Sequence, residues 1–267
     1  MRYLVLSVMT ALILAAAPSY GLQEIQVGEA ATVEVVSESG GAFLSIPHGD
    51  LSKGGTRIIK KYLEARKGES YGIVIHNMTS DRIGVVIAVD GRNIISGKKS
   101  FLRNNEEMYI LNSYERATYE GWRTDSDTVH RFYFTNMADS YSVRTFEDST
   151  AMGVIAVAVY REKERPQPLY HGKRLQPSAA APSADSSKAG KPAMEESSGT
   201  GFGDEQYSPA VKVAFEPVGT PVQKTLVKYE WREVLCKKGI LNCRQEPRNR
   251  LWDGDDYAPF PPGYRAR

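Results

Sequence analysis

Between residues 62 and 162, short runs of apolar β-formers alternate with turn residues. The runs cover 71–75, 83–89, 132–134 and 154–160. Asn77, Thr79, Ser80, Asp81, Asp90, Gly91, Ser96, Gly97, Asp139 and Ser140 separate them. Segments 70–78 and 83–89 are apolar at nearly every position, which predicts a hairpin across 79–82 whose strands lie mid-sheet, covered on both faces. Asp90-Gly91 is a tight-turn signal, followed by a short returning strand from Asn93 that stops at Ser96-Gly97. Two further strands are expected at 108–111 and 117–122, with Gly121 permitting a bulge or bend. Residues 129–135 set His130, Phe132 and Phe134 against Arg131 and Tyr133, so one face is buried. Residues 98–105 and 139–150 read as polar loops, the second with a brief strand at 141–143. Segment 153–160 is the most strand-like in the chain. Roughly eight strands in about a hundred residues predict an all-β fold, an antiparallel, jelly-roll-like β-sandwich.

Flanking segments carry weaker patterns. Short strands are expected at 24–27, 31–36 and 42–46, either completing the main sheet or staying mobile. Residues 48–50 and 53–55 read as exposed loop, and 56–67 fit a helical face as well as a strand. From 166 to 200, Pro, Ala, Ser, Gly and Lys dominate and apolar periodicity is lost, the composition of a flexible, disordered linker. A small C-terminal α/β or β appendage follows, with alternation at 211–215 and a strand or short helix at 225–234. The expected partition is a signal peptide (1–21), lead-in strands (22–55), a main sandwich (56–163), a linker (164–200), a small unit (201–243) and a flexible Arg/Pro/aromatic tail (244–267).

The leader changes the compartment. Arg2 precedes an apolar core at 4–17 that is shorter than the ~20 residues of a membrane helix. Ser19-Tyr20-Gly21 fits the small-x-small cleavage rule and avoids the Pro18 that cleavage after Ala17 would leave; a retained anchor is the alternative. No later apolar run is long enough to span a bilayer, so the expected locale is the periplasm or the cell exterior. In an oxidising compartment Cys236 and Cys243, spaced C-x6-C, read most simply as a local disulfide, with free or intermolecular thiols as the alternatives. A net charge of +2 gives no field calling for nucleic acid.

Candidate chemistry is sparse. The histidines His48, His76, His130 and His171 stand singly, with no metal-ligand spacing, and no G-x-S-x-G elbow occurs. Asp125 and Asp127 lack the Gly-bearing oxygen-ligand pattern of a calcium loop. The Gly-rich run 199–203 lacks the Lys-Ser/Thr of a phosphate loop and reads as a hinge. No catalytic residue, metal or cofactor is therefore expected. Tyr119, Trp122 and Arg123 form the one candidate binding surface, an aromatic–cation group able to stack on a sugar or anchor a protein. The competing reading is a core Trp flanked by a surface Arg. Asp90, Gly91, Asn93 and Gly97 are expected to be structural turn residues. The tail, with Arg244, Arg248, Arg250, Arg265 and Arg267 among Trp252, Tyr257, Phe260 and Tyr264, suits a partner surface as well as solvent.

The Tyr62-x-Glu64-x-Arg66-x-Gly68 opening and the Asp90-Gly91-x-Asn93…Ser96-Gly97 motif, with 121–123 and 201–203, resemble a family of uncharacterised exported bacterial β-rich proteins. The resemblance covers about half the chain and implies export and a β-domain. It assigns no chemistry, and neither the cysteine pair nor the tail belongs to its pattern. The expected function is a non-enzymatic binding or structural protein of the bacterial envelope, acting on a protein partner. The alternative is a carbohydrate-binding module using exposed Tyr and Trp.

Overall fold

The computed structural model describes residues 29–163 and 197–243. Its strands, in chain order, are β1 (Ala31–Ser37), β2 (Ser45–Lys53), β3 (Thr56–Ala65), β4 (Ser70–Asn77), β5 (Ile83–Val89), β6 (Arg92–Asn93) and β7 (Tyr109–Leu111). They continue with β8 (Arg116–Tyr119), β9 (Gly121–Arg123), β10 (Thr128–Asn136), β11 (Val154–Arg161), β12 (Ser198–Thr200), β13 (Glu205–Tyr207) and β14 (Gln223–Trp231). A 3-10 turn (Met137–Asp139) and two short helices, α1 (Tyr141–Phe146) and α2 (Arg232–Lys237), complete the described elements.

The strands pair into two sheets, making the protein an all-β sandwich. The first runs β1-β4-β10-β12, with β8 also on β4 and with β9 and β13 also on β10. The second runs β2-β3-β14-β11-β5-β6, with β7 also on β5. Pairing is antiparallel except between β14 and β3. Between the sheets, Ile73, Ile75, Phe132 and Phe134 meet Leu63, Val85, Ile87, Ile155, Val157 and Val227 in one buried cluster. Tyr71 stacks on Phe132 and Phe134, its ring centroid 4.3 Å from that of Phe134. Among the described residues no helix is long and apolar enough to cross a membrane.

Several local expectations are corrected. The hairpin expected across 79–82 does not form: β4 lies in the first sheet and β5 in the second, so residues 78–82 cross between the sheets. Residues 48–50 lie inside β2, whose register shifts between Pro47 and Gly49, so the Gly and Pro mark a bulge rather than a loop. Gly54 and Gly55 form the two-residue turn joining β2 to β3, both at positive φ (58° and 77°). Residues 56–65 are strand, because β2 and β14 both pair with them. The lead-in strands β1 and β2 belong to the sandwich, one at an edge of each sheet. Residues 141–146 are helical rather than extended: the Ser140 hydroxyl accepts from the Val143 N–H at the N-terminus, and Glu147 turns left-handed (φ 53°) at the other end.

The larger correction concerns the segments assigned to linker and appendage. Ser198–Thr200 pairs with the end of β10, and β14 sits in the middle of the second sheet between β3 and β11. Gln223, Thr225, Val227 and Tyr229 turn inward and are all buried, so β14 fills the core and is no separate unit. Residues 1–28, 164–196 and 244–267, on which the signal, most of the linker and the tail fall, lie outside the described residues.

Candidate functional site

The sequence-predicted binding trio does not assemble at the surface. Trp122 on β9 is 2% exposed. Its indole N–H donates to the Gly201 carbonyl at 3.0 Å, and its ring packs on Phe132 and Tyr141. Tyr119 is half-buried with its ring 4.4 Å from that of Tyr109. Arg123 donates to the Tyr109 hydroxyl and to the carbonyls of Asp125, Ser126 and Ser208, tying loop to loop. Trp122 is therefore a core residue, as strand alternation opposite inward His130 requires.

The turn residues hold positions of greater consequence. Asp90 and Gly91 form the two-residue turn between β5 and β6, both at positive φ (48° and 77°). Asn93 accepts from the N–H groups of Ile95 and Ser96 and donates to the Glu107 carbonyl, while the Gly97 N–H returns to the Asn93 carbonyl. Asp90 itself is 1% exposed. One carboxylate oxygen accepts from the Gly153 N–H at 2.8 Å and the Tyr229 hydroxyl at 2.6 Å; the other accepts from the Thr200 N–H at 2.7 Å. The chain continues from Tyr229 to the Thr200 hydroxyl (2.7 Å) and on to the Tyr71 hydroxyl (2.8 Å). It thus joins β14 in one sheet to β12 and β4 in the other. Burial drives the Asp90 pKa up to about 6 against the opposing pull of these donors, and burial also pushes both tyrosines well above their ordinary value. This cluster is enclosed, with its oxygens occupied by the protein's own groups, so its chemistry is cohesion between the sheets.

Nearer the surface, Asp148 pairs with Arg92 at 2.9 Å and Lys99 at 3.2 Å. Burial would raise its carboxyl, but hydrogen bonds from the Thr150 hydroxyl and amide, with help from Lys99, outweigh it and hold the pKa at about 2. Among the described residues no three His, Cys, Asp or Glu side chains converge as a metal site would require. A recess of about 60 Å³ on the outer face of the first sheet, between Glu38, Glu120, Arg131 and Gln206, has room for little more than water.

The surface that offers itself to a partner is the outer face of the second sheet. The strand registers lay three rows across it. Leu51, Ile58, Lys224, Ala158 and Val86 form the first; Gly49, Lys60, Leu226, Ala156 and Ala88 the second; Ile46, Tyr62, Lys228 and Val154 the third. The β11–β5 half of this face is covered from within the chain: Leu102 and Met108 pack on Val86, Ala158 and Tyr160, and the Tyr160 hydroxyl donates to the Leu102 carbonyl. The β2–β3–β14 half has no such cover among the described residues. There Leu51 is 46% exposed and Ile46, Ile58, Tyr62 and Leu226 are half-buried. Lys60 and Lys224 stand among them without an ion-pair partner among the described residues. These outward apolar positions went unread in the sequence because each abuts an inward one, as Leu226 abuts Val227.

The Cys236–Cys243 pair is disulfide-bonded, its Cα atoms 5.5 Å apart. It closes the loop after α2, where the Ile240 and Leu241 N–H groups return to the Leu235 carbonyl. No known family matches the chain, and no curated protein or solved structure matches it.

Proposed function

We propose that the protein is an exported, non-enzymatic binding protein of the bacterial envelope that engages a protein partner through the outer face of β2, β3 and β14. The observation that carries this reading is the division of one sheet face into a half sealed by Leu102 and Met108 and a half left open around Leu51, Ile58 and Leu226. A half-apolar surface whose Lys60 and Lys224 have no ion-pair partner among the described residues suits a protein with its own apolar patch and acidic rim. The leader-like pattern at 1–21 supports the compartment. The carbohydrate alternative loses its principal stacking residue, since Trp122 lies in the core.

The test is crosslinked capture of the tagged full-length protein from its own envelope, beside Leu226→Glu and Ile58→Glu. Both substitutions fall on half-exposed outward positions and leave the core intact. One dominant protein, captured in fixed ratio by the wild type and lost from both variants, is the expected result. Equal capture by the variants, or recovery of glycan without protein, refutes the proposal.

A further inference from the structure

The open half-face has a candidate occupant within the chain. We infer that residues 251–264, LWDGDDYAPFPPGY, dock on the β2–β3–β14 outer face of the same molecule and compete there with the partner. This inference rests on reading that face as the binding surface, and it adds the regulation of that surface.

Three observations converge on it. The first is charge and shape. Residues 251–264 hold Asp253, Asp255 and Asp256 with no Lys or Arg, interleaved with Leu251, Trp252, Tyr257, Phe260 and Tyr264. The face presents the complement: Lys60 and Lys224 beside Leu51, Ile58, Tyr62 and Leu226. Aromatic rings on aliphatic side chains and carboxylates on lysines then use the same surface. The second is reach. β14 runs directly into α2, and the disulfide holds Cys243 to α2, fixing where the following chain departs. Leu226 lies about 17 Å back along β14 from Trp231, at ~3.3 Å per residue. The stretch from Cys243 to Trp252 spans up to ~30 Å when extended. The third is the exclusion of a rival geometry. Pro259, Pro261 and Pro262 lack the N–H groups that adding a strand to β2 would need, so packing on the face is favoured over extending the sheet.

The test is carbodiimide crosslinking of the dilute full-length protein, which joins a lysine amine to a carboxylate in direct contact. It is read by mass spectrometry on an equal mixture of ¹⁵N-labelled and unlabelled chains. The expected products join Lys60 or Lys224 to Asp253, Asp255 or Asp256 within single-isotope pairs. Leu226→Glu and Trp252→Ala should each lower their yield by on the order of tenfold. Acrylamide quenching in a Trp231→Phe background, where Trp122 is shielded in the core and Trp252 supplies the variable signal, gives a second reading: Trp252 protected in the parent, exposed in Leu226→Glu. Mixed-isotope products alone assign the face to a second copy and overturn the inference. So do absent products together with a freely quenched Trp252. The two proposals separate cleanly. Capture lost in Leu226→Glu without tail crosslinks leaves the binding face standing and removes the tail; crosslinks lost while capture persists does the reverse. If both hold, Trp252→Ala should raise partner capture.

Discussion

Asp90 makes the sharpest prediction, because it places a carboxyl in the core without a cationic partner among the described residues. Its folded pKa of about 6 lies above the ordinary 3.8. The native state therefore holds this proton more tightly than the unfolded chain, and the stability it confers is fully present below about pH 4 and lost as pH rises through 6. A shift of about two units is worth about 3 kcal/mol in full, of which about 2 kcal/mol falls between pH 4.5 and 7.5. Urea unfolding at steps across that interval should show wild-type stability declining by about that amount, with the slope m unchanged. Asp90→Asn removes the titration, so its profile should flatten. It also sets an amide against three donors, the Gly153 and Thr200 N–H groups and the Tyr229 hydroxyl, and should cost about 1–3 kcal/mol near pH 4.5. Tyr229→Phe, which removes one of the donors, should push the Asp90 pKa higher and move the decline to higher pH. A wild-type profile that rises from pH 4.5 to 7.5, or a decline that persists in Asp90→Asn, would refute the assignment.

Three further outcomes are expected. A Cβ at Gly201 would fall within the Tyr133 ring, so Gly201→Ala should cost at least 1–3 kcal/mol in chemical unfolding, as overpacked sites do, and disturb the edge formed by β12 and β13. Gln223 turns its amide onto the edge of β1, accepting from the Ala30 N–H and donating to the Ala31 carbonyl; Gln223→Ala should cost about 1–3 kcal/mol and raise amide exchange at the start of β1. Native protein should show no reactive thiol, and reduction of Cys236–Cys243 should lower stability by up to about 2.5 kcal/mol, the loop-closure value for so short a ring.

What was legible in the sequence follows from how many faces of a strand are buried. The strands β4, β5, β10 and β11 are apolar at their inward positions, and β5 on both faces, so their runs announced them and the all-β class. The Asp90-Gly91 turn was legible because only a few residue types accept positive φ at both positions. Trp122 admitted both a surface and a core reading because Trp, Arg and a neighbouring Tyr look alike in either setting until the register with His130 assigns them a side; the core reading is the one that holds. The composition shift at 166–200 looks like a domain boundary and sets β14 apart in the sequence. Its alternation of Lys224, Leu226 and Lys228 with Thr225, Val227 and Tyr229 identifies a strand, but nothing local says that its neighbours are β3, more than 150 residues away in the chain, and β11. The Asp90 cluster was invisible for the same reason, since its members Tyr71, Asp90, Thr200 and Tyr229 meet only through long-range pairing.

The same long-range pairing explains why an open apolar face exists here at all. A sheet strand that needs one buried face can carry anything soluble on the other. Along β14 the outward positions Lys224, Lys228 and Glu230 obey that rule and Leu226 does not; along β3 Lys60 and Glu64 obey it and Ile58 and Tyr62 do not. The exceptions neighbour one another across the registers: Leu51 pairs with Ile58 and Ile46 with Tyr62, and Leu226 faces Lys60 on β3, diagonal to both Ile58 and Tyr62, so they form one patch rather than scattered single residues. Elsewhere on the same sheet, close packing meets such positions: a Cβ at Gly84 would lie 2.5 Å from the Met108 sulfur and 2.6 Å from the Phe215 ring. Where the chain covers its outer face it does so tightly. The patch left uncovered beside that seal is the surface on which the two proposals meet, and capture and crosslinking with Leu226→Glu test them separately.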